Sequence, residues 1–204
     1  MKAWIALLWL AACGNSSSTP QVDANRRDAS SIVDSRPIDA GIPDAAISTL
    51  TVTSTAWLEG ELIPGMYTCK GTNVSPPLAW TAPSAAHQGY ALVMTDKTNG
   101  LIHSVLWDIP ATTLTLPENI QKVAMPAVPA GAQQPLAYDN QTYGYLGPCP
   151  PTEHMYAFAI YAVDALPLPG VTAQSNRTAL QAAINAHATA VGRLTGKFSI
   201  PPPL

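Results

Sequence analysis

Residues 144–156 read G-Y-L-G-P-C-P-P-T-E-H-M-Y. The three prolines fix backbone φ and remove amide donors, which predicts a rigid loop with few remaining N–H groups. Gly147 lets a ligand or another backbone approach closely. His154 and Tyr156 follow two residues apart, so their side chains share a face if the chain continues as a strand. The loop is either a cradle for a small anion or a structural crossing at the end of a sheet.

Apolar runs on both sides of this loop predict a mainly β domain. Residues 89–95 (G-Y-A-L-V-M-T) and 156–163 (Y-A-F-A-I-Y-A-V) are continuous apolar runs, typical of strands that are buried on both faces. Residues 103–109 predict another strand, which Pro110 ends. Alternation of apolar and polar residues at 50–53 predicts a short strand before them.

A single late helix is predicted after these strands. Asn176 is a favourable N-cap, and residues 179–194 place apolar side chains on one stripe. Gly196 is positioned to end this helix. His187 lies on the apolar stripe, so it is interpreted as a packed core histidine and not as a ligand.

The start of the chain has the pattern of a secretory signal. Residues 1–13 read M-K-A-W-I-A-L-L-W-L-A-A-C, in which one lysine precedes a short apolar run. This run is too short to span a bilayer, which takes about 20 apolar residues. The ending L-A-A-C resembles a bacterial lipobox, in which the cysteine, here Cys13, is acylated and becomes the mature N-terminus. The alternative is a chance cysteine in an ordinary signal peptide.

Residues 14–48 differ in composition from the rest of the chain. They carry five Asp and three Arg and have no aromatic residue. Such a segment cannot bury enough apolar surface to offset the entropy of ordering it. It is predicted to be a disordered polar tether between Cys13 and a domain at 49–204. A lipidated Cys13 followed by such a tether predicts a protein anchored in the bacterial cell envelope.

Charge composition limits the classes of partner. The chain has 204 residues with a net charge of −3, and only 11% of its residues are charged. Without a basic patch, nucleic acid is not expected as a partner. No metal or cofactor motif is found, so no cofactor is predicted.

Four blocks of sequence occur in a specific order. They are Y-T-C-K-G-T-N at 67–73 running into S-P-P-L-A-W at 75–80, a strand ending at Asp96, His103 leading to I-P at 109–110, and G-P-C-P-P at 147–151 leading to H-M-Y. In this order they resemble the phosphatidylethanolamine-binding protein (PEBP) family, in its bacterial Raf kinase inhibitor-like branch. The resemblance covers residues 49–198. It implies antiparallel β-sheets in Greek-key order, with peripheral helices, and a small anion pocket.

The resemblance also implies which residues bind the ligand. In eukaryotic relatives the pocket accepts phosphate or a phosphoethanolamine head group. The positions that match the family's aspartate, first histidine and G-P…H-x-Y segment are Asp96, His103, Gly147, Pro148, His154 and Tyr156.

The pocket departs from the family pattern in several places. The usual D-P-D-x-P is D-K-T-N-G at 96–100, so the second acid and both prolines are absent. Met155 stands where the family has an arginine, Ser104 stands where it has an aromatic residue, and Glu153 precedes His154. Losing a cation and gaining an acid weakens attraction for phosphate, so the scaffold is expected to be intact and the pocket altered.

Cys69 and Cys149 are predicted to form a disulfide. With Cys13 lipidated, they are the two remaining cysteines, in an oxidising compartment. Cytosolic relatives carry the same two positions, so the alternative is a pair of packed thiols.

The function expected from these features is that of an envelope-anchored binding protein with a pocket for an anionic or phospholipid head-group ligand. As some relatives do, it would regulate or inhibit a partner protein, and it is not expected to be an enzyme. One alternative is a hydrolase, because Ser75 and Ser104 accompany Asp96, His103 and His154, although no G-x-S-x-G elbow exists. Another is a metal site that uses the same two histidines and one carboxylate.

Overall fold

The computed structural model describes residues 48–200. It contains a 3-10 turn at Gly65–Tyr67, and its regular elements follow in chain order: β1 (Ser48–Thr49), β2 (Val52–Thr53), β3 (Leu78–Trp80), β4 (Gly89–Asp96), β5 (Ile102–Pro110), β6 (Thr115–Leu116), β7 (His154–Val163), α1 (Arg177–His187) and β8 (Ala188–Phe198).

The strands form two sheets. The larger has the order β1-β8-β7-β4-β5, and the smaller has the order β2-β3-β6. Every pairing is antiparallel except that of β1 with β8, which is parallel. The expectation of a mainly β fold, with antiparallel sheets and one helix late in the chain, is confirmed.

Both faces of the larger sheet are covered, which explains the continuous apolar runs in β4 and β7. One group of buried side chains joins the two sheets and includes Trp80, Tyr90 and Phe158. A second group lies on the other face, where Leu180 and Ile184 of α1 are fully buried. Central strands that are buried on both faces lack the polar alternation of a half-exposed strand.

The prediction of a helix over 179–194 is wrong in its second half. Asn176 caps the helix as expected, because its Oδ1 accepts the Ala179 amide at 2.9 Å. However, α1 ends at His187 and the chain continues directly as β8. Burial alternates along β8, and the strand pairs with the whole of β7. Over a short stretch, apolar residues at this spacing fit both the periodicity of a helix and that of a strand. The pairing with β7 decides in favour of the strand.

His187 is not a packed core residue. It is the last residue of α1, its side chain is 31% exposed, and its Nδ1 lies 2.7 Å from Oδ1 of Asp164. Gly196, expected to end the helix, lies inside β8, where a Cβ would come within 2.6 Å of Cγ1 of Ile63. The glycine is therefore required by close packing against Ile63.

The predicted signal peptide at 1–13, with Cys13, and the tether up to residue 47 lie outside the described residues. Ser48, which the tether was expected to include, is the first residue of β1. Among the helices within 48–200, none has the length and hydropathy required to cross a bilayer.

Candidate functional site

A disulfide fixes one side of the proline-rich loop. It joins Cys69, which follows the 3-10 turn, to Cys149. Beside it, the Cys69 amide donates to the carbonyl of Pro148 at 3.0 Å, and the Tyr145 hydroxyl donates to the carbonyl of Tyr67 at 2.7 Å. The predicted pairing is therefore present in the structure, and the alternative of two packed thiols is not.

Asp96 ends β4, and its carboxylate accepts hydrogen bonds from two other residues. The residue is only 2% exposed. Its Oδ1 accepts the Thr98 amide at 2.9 Å, and its Oδ2 lies 2.6 Å from Nδ1 of His154. Tyr156 is the cross-strand partner of Asp96 on β7. The two hydrogen bonds provide the partners that a buried carboxylate requires.

Tyr156 is held in its neutral form. Burial raises the pKa of its hydroxyl, and the nearby negative charge of Asp96 raises that pKa further. The phenol is therefore a hydrogen-bond donor at physiological pH and not a proton acceptor.

His103 lies near the start of β5 and is 3% exposed. Its Nδ1 is 3.2 Å from the carbonyl oxygen of Leu146, and a carbonyl can only accept, so Nδ1 carries the proton. Burial lowers the pKa of His103 below its usual range, although the Leu146 carbonyl and Asp96 oppose this effect. The neutral ring therefore has Nε2 as an acceptor. The ring packs against Tyr138 and Tyr156, with centroid distances of 4.5 and 5.3 Å.

These groups border one cavity of about 180 Å³, which we call the Asp96 cavity. Its lining residues come from the ends of β4, β5 and β7 and from two loops: Asp96, Asn99, Leu101, His103, Tyr138, Cys149, Pro150, Pro151, His154 and Tyr156. Four of the six sequence-predicted ligand residues, the two histidines, the aspartate and Tyr156, are thus brought together.

Gly147 and Pro148 are not among the lining residues of the Asp96 cavity. The Gly147 amide donates to Oδ1 of Asn73 at 2.8 Å, so it is occupied within the protein. A Cβ at this glycine would lie 2.1 Å from the carbonyl oxygen of Tyr67. These two residues set the path of the loop, and the wall of the cavity is formed by the next three residues, Cys149, Pro150 and Pro151.

Sequence reasoning missed Tyr138. It lies in a segment without a strand or helix, and its amide donates to the carbonyl of His103 at 3.2 Å. Arg177 at the start of α1 holds the same segment, because its Nη1 donates to the carbonyls of Leu136 and Ala137. No local pattern indicates these contacts, which join residues 35 or more positions apart.

Comparison with known proteins identifies the family. The family model described as phosphatidylethanolamine-binding protein matches residues 53–199. The chain belongs to the PEBP family.

Relatives and solved structures agree with this assignment. LppC of Mycobacterium tuberculosis, which is named as a lipoprotein, is 33% identical over 168 residues, covering 78% of this chain and 79% of LppC. A UPF0098 protein of Methanothermobacter thermautotrophicus is 37% identical over 108 residues, covering 51% of this chain and 70% of that protein. The crystal structure of Escherichia coli YbcL, described as a member of the mammalian PEBP family, has a TM-score of 0.66 at 26% identity, covering 74% of this chain and 98% of YbcL.

A second PEBP structure, the homologue CT736 of Chlamydia trachomatis, has a TM-score of 0.62 at 27% identity. It covers 74% of this chain and 98% of CT736. The PEBP fold of residues 48–200 is thus supported by two crystal structures from different bacteria.

The geometry of this PEBP domain does not favour the hydrolase alternative. The Ser75 hydroxyl accepts the Ile120 amide at 2.8 Å. Ser104 follows His103 in β5, so the two side chains point to opposite faces of the sheet, and the Ser104 hydroxyl lies 4.0 Å from the sulfur of Met94. Neither hydroxyl is paired with a histidine that could activate it.

The metal alternative also lacks support in the PEBP domain. Within residues 48–200, no three side chains from His, Cys, Asp and Glu are grouped so that they could hold an ion. Asp96 and His154 bond directly to each other, and Nδ1 of His103 is engaged by Leu146.

The lowered pKa of His103 predicts a pH dependence of stability. The histidine in the unfolded PEBP chain takes up a proton below about pH 6.5, whereas buried His103 does so only at lower pH. The unfolded state therefore binds more protons there, and the free energy of unfolding is expected to fall as pH decreases through this range. Urea unfolding at about pH 7.5 and about pH 5.5 should show a smaller decrease for His103→Gln than for wild type. An equal decrease in both proteins would contradict this account of His103.

Proposed function

We propose that this PEBP-family chain is an envelope-anchored binding protein that takes a small anionic or phospholipid head-group ligand in the Asp96 cavity. The observation that carries the proposal is the 2.6 Å contact between buried Asp96 and partly exposed His154, on the wall of a cavity of about 180 Å³. A carboxylate that orients one ring nitrogen leaves the other, Nε2, for a ligand.

His154 is the main candidate for contact with an anion. Its Nδ1 donates to Asp96, and in the protonated ring Nε2 becomes a second donor. Phosphate and carboxylate oxygens are strong acceptors for such a charged donor. None of the described lining residues is Lys or Arg, so we expect an affinity weaker than that of an arginine-containing phosphate site.

His103 gives the cavity a hydrogen-bond acceptor, whereas His154 supplies a donor. Its neutral ring has Nε2 as an acceptor, which requires a ligand group that donates a hydrogen bond. The ammonium of phosphoethanolamine and the P–OH of a monoprotonated phosphate both meet this requirement. A ligand that carries an anionic oxygen and a donor therefore matches the two histidines better than a fully ionised phosphate does.

Calorimetric titration of the full chain with phosphoethanolamine tests this proposal. Wild type should bind phosphoethanolamine with a measurable heat. His154→Gln should reduce binding by about tenfold or more, since a hydrogen bond to a charged group is lost.

His187→Gln is the matched control for that titration. His187 forms a similar pair with Asp164, with a 2.7 Å contact, and is not among the residues that line the Asp96 cavity. Its replacement should leave binding unchanged. Binding that is equally strong in wild type and His154→Gln, or equally weakened by both substitutions, would count against the proposed site.

The envelope anchor is proposed at Cys13. The lipobox-like L-A-A-C supports it, together with the lipoprotein name of LppC, a relative that matches 78% of this chain. In a bacterial host, Cys13→Ser is expected to move the protein from the membrane to the soluble fraction or to leave the precursor uncleaved. Fractionation with intact-mass measurement checks this, and a variant that stays in the membrane with the processed, acylated mass would refute the anchor.

A further inference from the structure

A second cavity lies on the opposite face of the larger sheet, between that sheet and α1. We call it the Arg193 cavity. Its volume is about 230 Å³, and its lining comes from five elements and the turn after β4: Thr95, Lys97, Gly100, Ile102, Ala157, Ala159, Tyr161, Gln181, Asn185 and Arg193. On β7 these are the odd-numbered positions, whereas His154 and Tyr156 of the Asp96 cavity are even-numbered. Neighbouring residues of a strand point to opposite faces, so the sheet separates the two cavities.

Small residues on the central strand create the space. Ala157 and Ala159 are adjacent inward positions of β7, and the cross-strand neighbours of Ala159 are Val93 and Arg193. Their methyl groups form a shallow apolar floor. The longer side chains of Lys97, in the turn after β4, and of Arg193, on β8, also line the cavity.

Positive charge is concentrated on this face. Residues 48–200 contain six Lys and Arg residues, and two of them, Lys97 and Arg193, line the cavity. A third, Lys197, is the cross-strand neighbour of Met155, whose carbonyl accepts the Lys97 amide at 2.7 Å. None of the described lining residues is acidic.

The helix adds neutral donors to this cavity. Gln181 and Asn185 are one turn apart on α1, and Nε2 of Gln181 donates to Oδ1 of Asn185 at 2.7 Å. That bond uses one amide hydrogen of Gln181 and an oxygen of Asn185, so the amide nitrogen of Asn185 retains its donors for another group.

We propose that the Arg193 cavity is a second ligand site, which binds a small organic anion through its phosphate or carboxylate group. The planar guanidinium of Arg193 is suited to two parallel hydrogen bonds with such a group, and Lys97 adds a second positive charge. The alanine floor and Ile102 accommodate the carbon part of the ligand, which favours an organic anion over a bare inorganic ion.

The test uses the full chain carrying His154→Gln, so that binding by the Asp96 cavity is weakened. Calorimetric titrations with glycerol 3-phosphate and with glycerate distinguish the phosphate from the carboxylate, and glycerol is the uncharged control. At least one of the two anions should bind, and glycerol should not. Adding Arg193→Gln or Lys97→Gln should weaken binding by about tenfold, since each removes a charged hydrogen-bond partner.

Two further variants distinguish binding inside the Arg193 cavity from non-specific attraction of an anion to positive charge. Ala159→Leu changes no charge but fills the floor, so it should also abolish binding. Lys70→Gln removes an exposed lysine that is not among the lining residues and should have no effect. Thermal unfolding checks that each variant is folded. If Arg193→Gln does not fold, Lys97→Gln, at an exposed position, is the variant that tests the loss of a positive charge. The proposal is overturned if neither anion binds, or if binding is unchanged in both the Lys97→Gln and the Ala159→Leu variants.

Discussion

The full chain with Cys69→Ala and Cys149→Ala is expected to unfold with a free energy about 2–5 kcal/mol lower than that of wild type. The disulfide closes a loop with a sequence separation of 80, which reduces the entropy of the unfolded chain. Urea unfolding of the purified variant measures the effect. Wild type treated with a reducing agent should become as unstable as the double variant.

Cys13→Ser is the matched control, because it removes the third cysteine of the chain and leaves the disulfide intact. Its unfolding midpoint should equal that of wild type. The double variant should also bind phosphoethanolamine less tightly, since Cys149 and the following two prolines line the Asp96 cavity. Equal urea midpoints for wild type with and without reducing agent would show that the two cysteines are not paired in solution.

Gly147→Ala is expected to destabilise the protein by about 3 kcal/mol or more, the upper part of the range for overpacking in a filled interior. The added methyl group would lie 2.1 Å from the carbonyl oxygen of Tyr67 and 2.9 Å from Oδ1 of Asn73. Both contacts are with groups that cannot move freely, because Asn73 accepts the Gly147 amide and Tyr67 O accepts the Tyr145 hydroxyl. Urea unfolding is again the measurement.

Gly65→Ala provides the comparison for this substitution. A Cβ at Gly65 would have no neighbour within 4 Å, so the change in unfolding free energy should stay within about 1 kcal/mol. Similar stabilities for Gly147→Ala and wild type would show that the loop can move away from Tyr67. The close approach would then not be what requires glycine at this position.

The sequence predicts those elements whose side-chain pattern is set by burial alone. β4 and β7 are recognisable because covering both faces leaves them almost entirely apolar. The helical pattern of residues 179–194 extends over residues 188–194 of β8, and only the pairing of β8 with β7 makes these residues a strand. That pairing joins residues distant in sequence, so no local window contains it.

The same limit applies to the site. Asp96, His103, His154 and Tyr156 were recognisable through the order of four sequence blocks, and the structure brings all four to one cavity. Gly147 was interpreted as a ligand donor, but its amide bonds to Asn73, which is 74 residues away. A motif shows that a residue matters, whereas the partner of its backbone amide is decided by the tertiary fold.

The outermost strand of the larger sheet has a mechanical consequence. β1 contributes only two residues, which pair in parallel with Ala190 and Val191 of β8. The sheet order places β8 and β7 between β1 and the β4–β5 pair. A pulling force transmitted through the residues before Ser48 would therefore load this short edge strand first. β1 can separate from β8 without breaking a hydrogen bond among β4, β5 and β7. Tension on the N-terminal side of the chain would therefore not be expected to deform the walls of the Asp96 cavity.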